Sequence, residues 1–324
     1  MKQLRLFAGI LVVVGILASA GLAKGPRYTD PEKADADFPL QGEYTGEVGD
    51  EKIGVQIIAL GDGAFRSVVH KGGLPGDGWD KSDKMVVDGK RDGDTVVFEC
   101  PHGTATLTDG KLAVKAKEGD KAGVLKKTVR KSPTLGAKPP EGAVVLFDGK
   151  NADAFEGGRL SEDGLLMQGV TSKQKFGSHK LHIEFRLPYQ PKDRGQGRGN
   201  SGIYVQGRYE IQMLDSFGLE GKQNECGGIY SVGEPAVNMC FPPLSWQTYD
   251  IEFTATKYED GKAVAPPRMT VYHNGVKIHD DIELPADRST TAAPAKPGPE
   301  PGPVFLQNHG CPVRYRNIWV VEAK

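Results

Sequence analysis

Cysteine is scarce in this sequence, with four among 324 residues, and the cysteines do not form the CxxC pairs expected of zinc sites. Neither sign of charge dominates, because 41 basic and 42 acidic residues leave a formal net charge of −1. That balance argues against a protein that binds nucleic acid. No segment after residue 23 is apolar enough to cross a bilayer, so no membrane span is expected in the mature chain.

Glycine and proline are abundant by contrast, with 43 and 22 residues, while aromatic residues make up only 8%. Both residues favour turns, so the composition predicts many short strands rather than long helices. The length favours two domains.

The first 23 residues have the features of a signal peptide. Lys2 and Arg5 precede an uninterrupted apolar run, Leu6–Leu17, and small residues follow it. An uncleaved anchor is the alternative, but the run is short for a membrane span. The sequence therefore predicts an exported protein, periplasmic or extracellular.

Two cysteines enclose a short loop that contains several glycines. An oxidising compartment favours disulfides, and a bridge closing a loop of this size contributes about 3 kcal/mol. We predict a disulfide between Cys226 and Cys240. The alternative is a set of buried free thiols.

Alternating apolar residues and turn signals divide the rest of the chain. Residues 24–40 are polar and irregular, 41–130 predict a small all-β meander, 131–141 form a Pro-rich linker, and 142–324 form a second domain. Strand candidates in the second domain predict an antiparallel two-sheet sandwich or jelly roll. Thr290–Pro303, rich in Pro and Ala, is expected to be a surface insertion.

Strand alternation in the second domain also sorts polar side chains onto one face. If the strands share a sheet, this face collects His182, Glu184, Arg186, Tyr204, Glu210, Gln212, Gln307 and His309. A solvated outer face is the simpler interpretation. The mixture of carboxylates, amides, Arg, Tyr and His is, however, typical of a carbohydrate-binding groove.

Six ordered motifs identify a resemblance to a known family. They are Gly199–Tyr204, Tyr209–Ser216, Cys226–Tyr230, Trp246–Ile251, Asn274–Val276, and Leu306–Gly310 followed by Val313–Trp319. Together they resemble the 3-keto-disaccharide hydrolases, also described as 3-keto-glucoside 1,2-lyase and 3-keto-2-hydroxy-glucal hydratase domains. The resemblance covers residues 142–324 and implies a concanavalin A-like jelly roll. One departure is Asn308, where many relatives have Asp.

The resemblance implies cleavage of 3-keto-glucosides or disaccharides by elimination, with or without hydration. A C3 ketone acidifies the C2 hydrogen, a base removes it, and the enolate expels the C1 substituent. The candidate base is His309 or Glu210, and the candidate acid is Asp215 or Tyr204. Arg186 or a bound cation would stabilise the enolate.

The remaining polar residues of the motifs are candidates for sugar binding. Gln212, Asn200 and Gln307 would orient hydroxyl groups. Glu184 and Glu210 could instead hold a divalent metal with His309, although no cofactor is required by the sequence.

Two other functions remain open. One is a non-catalytic carbohydrate-binding or adhesion protein on the same fold. The other is a hydrolase of ordinary glycosides that uses Glu184 and Glu210 as paired carboxylates. For the first-ranked activity a separate sugar 3-dehydrogenase must act upstream, because the chain has no dinucleotide-binding fingerprint.

Overall fold

The computed structural model describes residues 25–117 and 121–323, so the predicted signal segment, residues 1–23, lies outside the described residues. The described part is all-β, which confirms the predicted fold class. Its helices are three short 3-10 turns, Pro31–Lys33, Phe38–Leu40 and Gly195–Gly197. Within these ranges no helix is long and apolar enough to cross a membrane.

The N-terminal strands form a closed eight-stranded antiparallel barrel. The strands follow chain order: β1 (Gly42–Val48), β2 (Glu51–Gly61), β3 (Ala64–Lys71), β4 (Met85–Asp92), β5 (Thr95–Cys100), β6 (Gly103–Thr108), β7 (Lys111–Ala116) and β8 (Ala122–Thr128). The sequence predicts a meander here, and pairing of β1 with β8, as at Thr45 and Lys126, closes that meander into a barrel.

Alternation along the strands separates the barrel core from its outer surface. Val55 and Ile57 of β2 belong to the buried interior cluster, whereas Ile58 packs outward into the core of the second domain. Phe38 and Tyr189 pack against the interior cluster from outside the strands. Tyr189 comes from the second domain, so one end of the barrel is closed partly by its neighbour.

The second domain is a sandwich of two sheets. The five-stranded sheet has the order β10-β12-β21-β14-β15 and the seven-stranded sheet the order β11-β22-β13-β16-β19-β20, with β9 paired to β22; β17 and β18 form a separate hairpin. The strands are β9 (Val144–Phe147), β10 (Phe155–Glu156), β11 (Leu166–Met167), β12 (Val170–Phe176), β13 (His179–Arg186), β14 (Ser201–Val205), β15 (Tyr209–Met213), β16 (Trp246–Thr254), β17 (Lys257–Glu259), β18 (Lys262–Ala265), β19 (Arg268–His273), β20 (Val276–Glu283), β21 (Gly302–Leu306) and β22 (Arg314–Glu322).

The core of the sandwich lies between the sheets. Ile203 and Ile211 of the five-stranded sheet and Ile183 and Val271 of the seven-stranded sheet are fully buried members of one cluster. The alternate residues of each strand point away from this core, so the two sheets have outer faces on opposite sides of the domain.

The linker, residues 131–141, lies against the outer face of the seven-stranded sheet. Thr134 Oγ1 donates to Asp250 Oδ2 at 2.6 Å, and the Gly136 amide donates to Glu184 Oε1 at 2.6 Å. The Ala137 carbonyl accepts from Asn317 Nδ2 at 2.9 Å. These bonds satisfy polar backbone groups of the linker, which is therefore fixed to the sheet.

Candidate active site

The structure divides the predicted polar face between two sheets. Glu184 and Arg186 lie on β13 of the seven-stranded sheet, whereas Tyr204 and Glu210 lie on β14 and β15 of the five-stranded sheet. The prediction that these residues share one face is wrong. Alternation correctly separates the inward from the outward side chains of each strand. It does not show which strands pair, and pairing decides which outward side chains share a face.

Glu210 is the central acidic group on the five-stranded sheet. Its side chain is almost fully buried, and Oε1 has no hydrogen-bond partner in the described part of the chain. The carboxyl lies over Gly202 of β14, where a side chain would collide with it. Burial raises the pKa of Glu210 to about 7, against a smaller lowering by the Tyr204 hydroxyl.

The Tyr204 hydroxyl adjoins this carboxyl, since the two residues are paired across β14 and β15. Its oxygen donates to the Thr291 carbonyl at 3.2 Å and accepts from Gln307 Nε2 at 3.1 Å. Burial, followed by the charge of Glu210, raises the pKa of Tyr204 well above its usual range. The hydroxyl therefore keeps its proton at neutral pH and can direct it to Thr291 or to Glu210.

Amide side chains extend the polar cluster. Gln196 Oε1 accepts from Gln212 Nε2 and from Asn200 Nδ2, each at 3.0 Å. The buried Asn200 Oδ1 has no partner among the described residues. The structure thus brings together Tyr204, Glu210, Gln212, Gln307 and Asn200 of the predicted set, and adds Gln196. Nothing in the sequence indicates a role for Gln196 except its place in a Gly-rich loop.

The cluster is covered by the start of the segment predicted to be a surface insertion. Thr290 Oγ1 accepts from the Glu210 amide at 3.0 Å and donates to the Arg208 carbonyl at 3.0 Å. Thr291 supplies the carbonyl that binds Tyr204. The sequence predicts only a surface insertion at Thr290–Pro303, and its composition contains no titratable cluster that would indicate this contact.

His309 lies beyond the end of β21 and is exposed. It forms no hydrogen bond with another described side chain or backbone group. Gln307, two residues earlier, contacts Tyr204. His309 is therefore at the solvent side of the strand end from which the polar cluster is built.

The polar residues of the seven-stranded sheet form a different, internally satisfied network. His182 Nδ1 pairs with Asp250 Oδ1 at 2.6 Å, and its ring stacks on Trp319. Glu184 accepts from Arg316 Nε at 2.6 Å and from Asn317 Nδ2 at 2.9 Å. The Gly136 amide of the linker donates a third hydrogen bond, so both oxygens of the Glu184 carboxylate have partners. The structure thus places Glu184 in a network of its own sheet and the linker, apart from Glu210.

Arg186 also lies away from Glu210. It pairs with Asp163 at 3.2 Å, and its guanidinium lies 5.1 Å from the centre of the Trp246 ring. It lies on β13 of the seven-stranded sheet, so the structure does not bring it together with Glu210.

The carboxylate of Asp215 is also engaged, in this case by an arginine. Its Oδ2 forms a buried ion pair with Arg198 Nε at 2.6 Å, and the same guanidinium reaches the Ala59 carbonyl of the barrel at 3.4 Å. The predicted role of Asp215 as a general acid is not supported, because its contacts lie at the domain interface rather than in the Glu210 cluster.

All four cysteines are thiols in the structure, so the predicted Cys226–Cys240 disulfide is not formed there. Both thiols are buried. Cys226 Sγ contacts Tyr249 Oη at 3.2 Å, and Cys240 Sγ contacts the Leu214 carbonyl at 3.5 Å.

The described residues contain no group of three or more His, Cys, Asp or Glu side chains placed to hold a metal ion. The predicted set of Glu184, Glu210 and His309 fails because the two glutamates lie on different sheets. The same separation overturns the pairing of Glu184 with Glu210 for two-carboxylate glycoside hydrolysis.

Comparison with known proteins gives two kinds of match. Residues 142–321 match the family model described as the 3-keto-alpha-glucoside-1,2-lyase-like domain. A solved structure of a putative glycosyl hydrolase from Parabacteroides distasonis is 34% identical, with 57% of this chain and 85% of that chain covered and a TM-score of 0.51. A second structure of that description and organism is 19% identical over 57% of this chain and 95% of that chain, with a TM-score of 0.42. No curated protein matches.

Proposed function

From the membership of this chain in the 3-keto-alpha-glucoside-1,2-lyase-like family, we propose that it cleaves 3-keto-glucosides by removing the proton at C2. The family and the 34% identical relative indicate a glycoside-acting, carbohydrate-active enzyme. The observation that carries the finer proposal is the buried Glu210 carboxyl, whose pKa is raised to about 7 and whose Oε1 lacks a partner among the described residues.

Glu210 is the proposed base. A carboxylate with a pKa near neutrality is both available and basic enough to accept a proton from a carbon made acidic by a neighbouring ketone. The electron pair of the C2–H bond forms the enolate, the C1–O bond breaks, and its electrons leave with the aglycone. Addition of water to C1 of the resulting enone completes net hydrolysis.

The neighbouring groups would stabilise this charge shift. Tyr204, which remains protonated, is the proposed hydrogen-bond donor to the enolate oxygen. Gln212, Gln307 and Asn200 would orient the sugar hydroxyls. His309, exposed beyond the strand end, is the proposed acid for the leaving oxygen.

Substrate entry requires the covering segment to move. The Thr291 carbonyl occupies the Tyr204 hydroxyl, and Glu210 is only 2% exposed. A bound sugar would replace Thr291 as the partner of Tyr204. Contacts between the substrate and the site would thereby offset the loss of the contacts that Thr290 and Thr291 make with it.

The proposal also includes where the reaction takes place and which enzyme supplies its substrate. The apolar run in residues 6–17 supports export to the periplasm or the cell exterior. A separate sugar 3-dehydrogenase would have to supply the ketone, because elimination at C1 requires a carbonyl at C3.

The test uses the purified chain and matched aryl glucosides with and without a 3-keto group, with aglycone release as the signal. We expect release from the 3-keto form alone. Glu210→Gln should abolish release, whereas Glu156→Gln, an exposed glutamate on the same sheet, should not change it. His309→Ala should slow release most for poor leaving groups.

The result that overturns the proposal is full activity in Glu210→Gln, or release from the unoxidised glucoside. Measurable glycan binding without release from any 3-keto-glucoside would instead favour the carbohydrate-binding alternative. Repeating the assay after treatment with a chelator tests whether aglycone release requires a divalent metal.

A further inference from the structure

The N-terminal barrel has an internal cavity that the proposed reaction does not use. Its volume is about 240 Å³, and it opens at the end of the barrel where β1 turns into β2 and β5 turns into β6. The side chains that line it are predominantly apolar and include Val55, Val69, Met85, Phe98, Ala105 and Val114. The exposed side chains of Glu51, His102, Lys115 and Lys121 also border it.

The cavity follows from the sizes of the inward-facing residues. Towards the closed end, Tyr44 and Phe65 fill the barrel and are fully buried. Towards the open end, the cross-strand neighbours Gly103 and Ala116 line the space with little or no side chain. An eight-stranded barrel is just wide enough to be filled by side chains or to hold one small ligand. Small residues at one end leave room for a ligand there.

The chemistry of the lining selects the kind of ligand. An apolar cavity of about 150 Å³ stays dry and binds benzene, so the larger cavity here has room for more than one ring. Glu51 at the rim pairs with Lys71 at 3.6 Å, and the inward Ser67 is buried. The Phe98 ring and the Met85 sulfur favour contact with an aromatic group.

We propose that the barrel binds one uncharged aromatic molecule of one or two rings. The site is separate from Glu210 and does not depend on the proposed reaction. A ligand there would contact Val114 and Ala105 on adjacent strands and would cover Cys100, which lines the same cavity.

The first test is a titration of the full chain with N-phenyl-1-naphthylamine. We expect a blue-shifted increase in fluorescence that saturates at one probe per chain and is reversed by naphthalene. Ala105→Phe, which fills the cavity, should weaken binding at least about tenfold. Ala113→Phe adds the same ring on the exposed surface of the next strand and should leave binding unchanged.

A second measurement avoids substitutions in the barrel. Cys100 is half-buried, whereas the other three cysteines are buried, so a thiol reagent should label Cys100 first. Naphthalene should slow this labelling. Absence of probe binding, equal binding by Ala105→Phe, or labelling of Cys100 that naphthalene does not slow would overturn the proposal.

Discussion

The carboxyl of Glu210 lies directly against the backbone of Gly202 on the neighbouring strand. A Cβ placed on Gly202 would be 2.0 Å from Glu210 Oε1 and 2.8 Å from Cδ. The backbone at Gly202 lies in extended strand, so glycine is required there by space and not by a turn. Gly202 therefore fixes where the carboxyl can lie.

Gly202→Ala should displace the Glu210 carboxyl without removing it. Because the colliding atoms are the end of a flexible side chain, we expect little change in thermal stability but at least about a tenfold fall in kcat/KM for a 3-keto-glucoside. Gly177→Ala is the matched control, since nothing lies within 4 Å of its added Cβ. Unchanged kcat/KM in Gly202→Ala would count against a precisely placed base.

The pKa of Glu210 predicts the pH dependence of the reaction. A base must be deprotonated, and burial raises the pKa of this carboxyl to about 7. For an aryl 3-keto-glucoside with a good leaving group, which departs without an acid, we therefore expect kcat/KM to rise with pH and to be half-maximal near this value. A pH–rate profile between about pH 5 and pH 9 checks it, and a flat profile would contradict it.

The raised pKa of Glu210 also predicts that folding stability falls with rising pH, whereas activity rises. The usual pKa is 4.5, so between 4.5 and about 7 the folded chain holds a proton that the unfolded chain has lost. Stability from this group consequently falls as pH rises through that window. Glu210→Gln should raise the melting temperature at pH 8 relative to wild type, and this gain should shrink at pH 5.

The stability contributed by Glu184 should depend on pH in the reverse direction and fall as the pH is lowered. Despite burial, which raises the pKa, the nearby His182 ring and hydrogen bonds from Asn317 and Arg316 lower the pKa of Glu184 to about 2. Its stabilising contribution is present above its unfolded value of 4.5 and is lost as pH falls towards 2. Glu184→Gln should destabilise the chain by about 3 kcal/mol at neutral pH, measured by urea unfolding, with kcat retained.

His182 adds a second pH effect in the same network. Burial disfavours its charged form, but the hydrogen bond with Asp250 and the nearby Glu184 carboxylate outweigh burial and raise its pKa above 6.5. The stabilisation from charged His182 is complete below 6.5 and is lost as pH rises through the folded value. His182→Gln should therefore cost more stability at pH 6 than at pH 9. Equal losses at both pH values would show that the ring acts by packing alone.

The ion pair between Arg198 and Asp215 should matter for folding rather than for the reaction. Asp215→Asn leaves a buried guanidinium without its counter-charge, so we expect a loss of about 3 to 5 kcal/mol. Replacing both residues, Arg198→Met with Asp215→Leu, should recover most of this loss. Recovery of neither stability nor soluble expression in the double variant would contradict the expectation.

The sequence predicted the strand content well and the site only in part. Strands with regular apolar alternation, such as Arg268–His273, give a clear signal in the sequence. β12, with the polar sequence VTSKQKF, gives no such signal because it lacks this alternation. The grouping of Glu184 with Glu210 failed for a different reason. Alternation assigns a side chain to a face of its own strand, whereas the sheet to which the strand belongs depends on long-range pairing.

The attachment of residues 131–141 to the sandwich has a consequence for how such chains can recombine. Glu184 and Asp250 receive hydrogen bonds from the linker, which would be lost if the chain were cut at residue 141. The Pro-rich sequence thus marks a boundary between folds but not a boundary between independent parts. A gene fusion that exchanged the barrel for another module would have to keep these residues, because the sandwich uses them as part of its own surface.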